Sequence, residues 1–258
     1  RQTSSNYALK STFTQRQYGD TYSLGAFAQL KLLLGRELKL TLRDTVALRA
    51  RFIQATVMAV VVGTTYLQVE ETDFQVLLGA IFFSATLIAF VNIASIEPVN
   101  FARAVVAKHR DALMYSPRTY VAASVLNSVP VSALEALIFS SIVYFLVGLN
   151  ATAERFFGFT LIVFSASLAF SSLFRLVGSA IPNLQAAQAA GGPLTGLLSV
   201  LAGFLVTKEQ MPVWLSWLMY CSPFYWIVRA LSLLEFSSAD YDFEAQPGQG
   251  RFGDVVLN

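Results

Sequence analysis

Residues 96–123 read IEPVNFARAVVAKHRDALMYSPRTYVAA, a basic stretch that opens at Pro98, closes at Pro117 and separates two long apolar runs. Its cations, Arg103, Lys108, Arg110 and Arg118, contrast with the rest of the sequence, which is 55% hydrophobic and 13% charged, with a mean hydropathy of +0.56. An average soluble domain carries about 25% charged residues. Crossing a bilayer as a helix takes about 20 mostly apolar residues, and five stretches qualify: 52–68, 75–96, 120–148, 156–181 and 187–206. The fold expected is all-α, a polytopic helical membrane protein. A very apolar soluble bundle is the opposing possibility.

Charge placement orients the spans. Lys31, Arg36, Lys39, Arg43, Arg49 and Arg51 precede the first span, and the four cations of the quoted stretch lie between the second and third. Segments rich in Lys and Arg stay on the cytoplasmic side. Glu70, Glu71 and Asp73 follow the first span, and the region beyond Val206 is mostly acidic, so both face outward. The amino terminus is then cytoplasmic, and five spans put the two ends on opposite sides. Asn150-Ala151-Thr152 is a glycosylation sequon in a connection that this topology places outside, close to two spans. The sequence begins at Arg1 without a signal-peptide pattern, as expected of a piece of a longer chain.

Residues 1–23, rich in Ser, Thr and Gln, read as a polar linker. In residues 24–46 Phe27, Leu30, Leu34 and Leu38 recur at helical spacing while Arg36, Lys39 and Arg43 take another face. Such a helix lies along the inner headgroup layer or packs on another domain. Pro130 interrupts the third span and is expected to kink it. Trp214, Trp217 and Trp226 cluster with Tyr220, Phe224 and Tyr225 around Pro212 and Pro223, as an interfacial aromatic belt or a pair of short re-entrant helices. Residues 237–258 read as a polar external loop.

Chemistry at a catalytic site is hard to assemble from these residues. His109 is the only histidine and Cys221 the only cysteine, so neither a multi-histidine metal site, nor a Ser-His-Asp arrangement, nor an internal disulfide is available. The pattern G-x-x-x-x-G-K-[ST], which cradles nucleotide phosphates, does not occur. No catalytic residue and no metal ligand are expected, and the chain itself is not expected to hydrolyse ATP. Glu135 falls near the middle of the third span, where an ionisable group is costly and faces protein or water. A proton-coupled secondary transporter centred on Glu135 is one reading, and a hydrogen-bonded structural role is the other. Arg175 is the other charge deep in a span, near the cytoplasmic end of the fourth.

The segment ARAVVAKHRDALMYS resembles the first intracellular loop of G-type ABC exporters, of the white and pleiotropic drug resistance group. Arg103, Val105, Lys108, Met114 and Tyr115 match that pattern; Ala102 and His109 stand where the family usually has acidic residues. Further matches follow in order: Val129-Pro130, Ile142-Val143-Tyr144 with Gly148, Leu173-Phe174-Arg175, Gly203-Phe204, Met211-Pro212, Trp217, Ser222-Pro223 and Glu235-Phe236. The Leu-Phe-Arg element is similar to the drug-resistance branch in particular.

This resemblance implies an ABC-2 type transmembrane domain over residues 24–236, with five of an expected six spans visible. It also implies an N-terminal interfacial connecting helix and a short cytoplasmic coupling helix around His109–Tyr115. The expected partners are a nucleotide-binding domain that supplies ATP and magnesium, a second transmembrane domain in the same polypeptide or in a homodimer, membrane lipid and a hydrophobic small molecule, with no nucleic acid. A plasma membrane, or else an organelle membrane, would hold it. Coupling to the nucleotide-binding domain falls to Arg103, Lys108, His109, Arg110, Asp111, Met114 and Tyr115, with Met114 and Tyr115 filling an apolar groove in the partner.

Candidate substrate-pathway residues lie on the second and fifth spans. Phe83, Leu87 and Phe90 follow i, i+4, i+7, and by resemblance Phe90 stands where an aromatic clamps flat hydrophobic substrates. Gly192, Gly196, Ser199 and Gly203 form a small-residue stripe, which allows either close helix packing or room for a ligand. Phe204 and Leu205 match an apolar plug above the cavity.

Overall fold

The computed structural model describes residues 22, 24–69, 74–149, 152–204 and 213–236. Among these every regular element is helical. In chain order they are α1 (Ala26–Arg43), α2 (Thr45–Thr65), α3 (Phe74–Asn92), a 3-10 turn (Ile93–Ser95), α4 (Ile96–Asp111), α5 (Pro117–Val147), α6 (Ala153–Ala180), α7 (Leu184–Val200), α8 (Val213–Cys221) and α9 (Pro223–Phe236). Asn150, Leu205, and residues 1–23 (Tyr22 apart) and 237–258 lie outside the described residues.

Among the described residues four helical stretches are long and apolar enough to cross a membrane: Thr45–Thr65, Gln75–Asp111, Pro117–Val147 and Ala153–Ala180. The chain is therefore an integral, multi-pass, all-α membrane protein. The fifth expected span is shorter than its hydropathy suggests. The apolar run 187–206 yields α7, a helix of 17 residues that stops at Val200. Beyond it the chain turns, and Gly203 adopts φ +84°, a left-handed conformation that suits glycine.

The second span is longer than its apolar run. Helical backbone continues through the 3-10 turn into α4, because Pro98 sits in the first turn, where its missing N–H would have no intrahelical partner anyway. Pro130 likewise lies inside a continuous α5. The coupling helix expected around His109–Tyr115 is instead the last part of α4. It ends at Asp111, and Leu113, at φ +52°, reverses the chain into α5.

Two compact units are present. The smaller contains α1 with residues 101–127, and the larger contains residues 45–100 with 128–236 of the described chain. In the larger, α3, α6 and α9 form the centre, with α2 against α3 and α7 against α6. Its core includes Ile88, Phe139, Tyr144, Phe170, Phe174, Phe224 and Leu231. Glycines set the closest approaches. A Cβ on Gly178 would stand 2.9 Å from the Ile96 carbonyl oxygen, and one on Gly63 would meet the Leu146 side chain at 2.5 Å. The C-terminal end of α2 is fixed to that of α5 by Gln68 N–H donating to Leu146 O (3.0 Å) and Val69 N–H to Val147 O (3.1 Å).

Trp217, Tyr220 and Trp226 remain exposed on α8 and α9, two short helices that break at Ser222 with Pro223 as the first residue of the second. Trp226 Nε1 donates to Tyr220 O at 3.0 Å. The pair-of-short-helices reading is the geometry found.

Candidate functional site

The smaller unit is built around the turn between α4 and α5. Tyr115 is 7% exposed and packs with Leu33 of α1 and Ala123 of α5, joined by Leu30 and Tyr120. Its hydroxyl lies 3.0 Å from His109 Nδ1, and its ring stacks on Tyr120 at 5.9 Å. Gln29, buried in α1, accepts the Ser116 backbone N–H at 3.0 Å and donates to Leu24 O at 2.6 Å. At the other end of the same helix pair, Asn127 Nδ2 donates to Thr41 Oγ1 at 2.8 Å. Two polar clasps and one small apolar cluster therefore hold the turn.

This geometry divides the expected coupling residues. Tyr115 faces inward, so it cannot fill a groove in another domain; it anchors the turn. The apolar side chains presented outward are Met114 (59% exposed) and its neighbour Leu113 (55%), which the sequence reading passed over. Lys108 is exposed, Arg110 and Asp111 pair with each other at 3.2 Å on the surface, and Arg103 and His109 are half-buried. A surface pair of adjacent residues contributes at most about 1 kcal/mol, which leaves both groups available to a stronger partner. The arrangement displays an apolar tip flanked by charge.

Glu135 belongs to the larger unit and has a partner that sequence reasoning missed. Arg51 Nε donates to Glu135 Oε1 at 2.7 Å, and Arg51 Nη2 to Oε2 at 3.1 Å, a bidentate pair. The Glu135 side chain is 4% exposed and that of Arg51 16%. Arg51 had been grouped with the cations that set topology. It lies instead in the second turn of α2, which begins at Thr45 rather than at the hydropathy edge near Phe52. Counting back from the C-terminal ends of two spans that run the same way places both groups roughly 20 Å down, at 1.5 Å per residue. That register was the available signal.

Beside the pair lies a small space bordered by Ala55, Ile88, Asn92, Phe139 and Ser167. A polar seam continues from there. Asn92 Nδ2 donates to Ser167 Oγ (3.2 Å), Ser95 Oγ to Ser171 Oγ (3.2 Å), and Asn100 Nδ2 to the carbonyls of Gly178 (3.3 Å) and Ile181 (2.9 Å), where α6 ends. The last contacts satisfy carbonyls that a helix terminus leaves without intrahelical partners.

The substrate-pathway candidates do not form one surface. Leu87 is in the core, Phe83 is half-buried with its ring 6.1 Å from Tyr66, and Phe90 is 37% exposed. Phe204 stacks on Phe82 at 4.8 Å, a neighbour of Phe83 that the i, i+4, i+7 reading skipped. Ser199 is buried, and its hydroxyl donates back to Gly196 O. Gly196 and Gly192 have open space where a Cβ would be; the glycine of α7 in a tight place is Gly191, where a Cβ would stand 3.1 Å from Ile93 Cγ2. Only the Gly192 and Gly196 part of the stripe is open within this chain; Ser199 is buried and a Cβ on Gly203 would stand 3.3 Å from Met219.

Comparison with known proteins gives this arrangement a family. The model of the ABC-2 type transporter family matches residues 28–236, and the chain belongs to that family. It is similar to ABC transporter G family member 21 of Dictyostelium discoideum, 27% identical over 86% of this chain and 15% of that protein. It also resembles ABC transporter G family member 38 of Oryza sativa subsp. japonica, 28% identical over 91% of this chain and 16% of that protein. ABC-type transporter cns4 of Cordyceps militaris is 27% identical over 84% of this chain and 16% of its own length. The chain thus spans about 15% of the length of the curated relatives it matches.

Proposed function

We propose that this chain is the membrane-spanning half of an ATP-driven exporter that moves amphipathic or lipid-like compounds, powered by a nucleotide-binding domain outside the residues given. The observation that carries this reading is the exposed Leu113-Met114 tip. It stands at the end of a helical stretch that runs from Gln75 to Asp111, at the turn into α5, in a chain of the ABC-2 type transporter family. A neighbouring domain that gripped the tip would act on the second and third spans through continuous helical backbone. Arg103, Lys108, His109, Arg110 and Asp111 supply charge-assisted hydrogen bonds around it. ATP and magnesium belong to that partner.

The pathway is completed by a second transmembrane domain, in the same polypeptide or in a homodimer. Phe90 and the open face of α7 at Gly196 are the exposed candidates for its boundary, and Phe204 on Phe82 closes it above. The amino terminus is cytoplasmic, and the plasma membrane is the favoured location. Glu135, engaged by Arg51, serves as a structural ion pair in this reading rather than as a proton carrier.

The test uses inside-out vesicles containing the full-length protein and a fluorescent amphipathic substrate. ATP-dependent accumulation is expected in the unaltered protein, and Met114→Asp is expected to abolish it while the protein remains folded. Accumulation that persists without ATP and follows an imposed proton gradient would overturn the proposal.

A further inference from the structure

The exposed side of α1 carries a feature that export does not require. At 100° per residue, Lys31, Lys39, Arg43 and Arg36 fall within an arc of about 140°, and they border a shallow depression centred on Gly35. A Cβ at Gly35 would meet nothing within 4 Å, so the depression is open to its floor. Among the described residues no carboxylate stands within ion-pair distance of any of the four cations, and Glu37, the one acid in α1, falls outside the arc.

Phe27, Leu38 and Leu42 occupy a sector of about 60° that overlaps the edge of the arc, with Leu42 between Lys31 and Lys39 and Leu32 between Lys39 and Arg43; all four apolar side chains are exposed, Phe27 by 81%. The buried side of the helix, Gln29 and Leu33, is a third and separate face. Apolar side chains set among and beside cations are what an interfacial helix presents to acyl chains and to phosphates. Asp44 alone separates α1 from the membrane span α2, so the C-terminal end of α1 is tethered one residue from that span.

We propose that the depression over Gly35 binds the headgroup of a polyanionic phospholipid, with Lys31, Arg36, Lys39 and Arg43 on its phosphates and Phe27, Leu38 and Leu42 against its acyl chains. The cations select for phosphate because four unpaired positive charges meet no acid on this face. The apolar side chains select a lipid over a free organophosphate. Gly35 selects a bound headgroup over diffuse attraction, since any larger residue there raises the floor of the depression.

Full-length protein purified in detergent is titrated with dioctanoyl phosphatidylinositol 4,5-bisphosphate, and with inositol trisphosphate as the same headgroup without chains. Saturable lipid binding is expected. Each cation removed weakens attraction to anionic lipid by about fivefold, so Lys31→Gln, Lys39→Gln and Arg43→Gln combined should weaken it roughly 100-fold. Gly35→Met keeps every charge, favours the helix, and is expected to weaken binding at least about tenfold, following the steric argument. Unchanged affinity in Gly35→Met would assign the effect to diffuse charge and overturn the site. Equal affinity for inositol trisphosphate would overturn the lipid assignment, and wild-type affinity in the triple variant would overturn the proposal altogether.

Discussion

The two units are held together by different means. The larger rests on a continuous apolar core, on glycines where an added Cβ would stand only 2.5–2.9 Å from a neighbour, and on a bidentate ion pair largely out of solvent. The smaller rests on Leu33, Tyr115 and Ala123 with a few polar clasps. Regions with few buried apolar contacts open at lower free energy than a packed core. The difference teaches where movement is cheap: the turn that displays Met114 belongs to the unit with the least burial, while the spans of the larger unit are braced by shape.

The strongest test of that contrast is the ion pair. Arg51→Leu strands the Glu135 carboxylate in an apolar setting, and breaking a buried pair costs about 3–5 kcal/mol. Thermal unfolding of the full-length protein should drop by several degrees, whereas Arg51→Met with Glu135→Leu should restore most of the loss. A double variant as unstable as the single would show that the pair holds more than its own charges.

Tyr115→Ala removes the centre of the smaller unit, a truncation worth about 3 kcal/mol for a buried aromatic. The loss should stay local. Hydrogen exchange is expected to accelerate in residues 26–43 and 112–127 with little change in global melting, while Tyr115→Phe, which loses only the bond to His109, should cost about 1 kcal/mol. A global collapse in Tyr115→Ala would erase the distinction between the units.

Within the larger unit, Gly178→Ala pushes a methyl against the Ile96 carbonyl and should cost about 1–3 kcal/mol. Gly196→Ala meets open space and should be neutral or slightly stabilising, by up to about 1 kcal/mol from helix propensity. Melting curves of the two variants, compared directly, separate glycine used for packing from glycine used for space. The smallest effect expected is Gln29→Ala, about 1 kcal/mol from the lost Ser116 bond, read again by exchange in the smaller unit.

Hydropathy made the spans readable because the bilayer imposes a length and a polarity that any sequence must meet. It read less well where helices continue past apolar runs. Arg51 was hidden because the apolar run begins one residue after it, and α4 because a proline in the first turn of a helix resembles a break. The fifth run overshot for the opposite reason: 187–206 stays apolar beyond Val200, but Gly203 turns the chain. At the turn, residue types marked the segment, yet only packing tells which neighbour points outward. Tyr115 and Met114 are adjacent and both hydrophobic, and their directions follow from packing on Ala123 in the next helix and on Leu33, far away in sequence. Gln29, Thr41 and Asn127 carried no signal, since polar residues on an amphipathic helix look alike until a partner is known.

The account stands or falls on what Met114 touches. A photoreactive or cysteine crosslinker at position 114, in full-length protein with Cys221 replaced, should capture the nucleotide-binding domain in a yield that changes between nucleotide-free and ATP-trapped states. Capture of lipid alone, or a product indifferent to nucleotide, would contradict it.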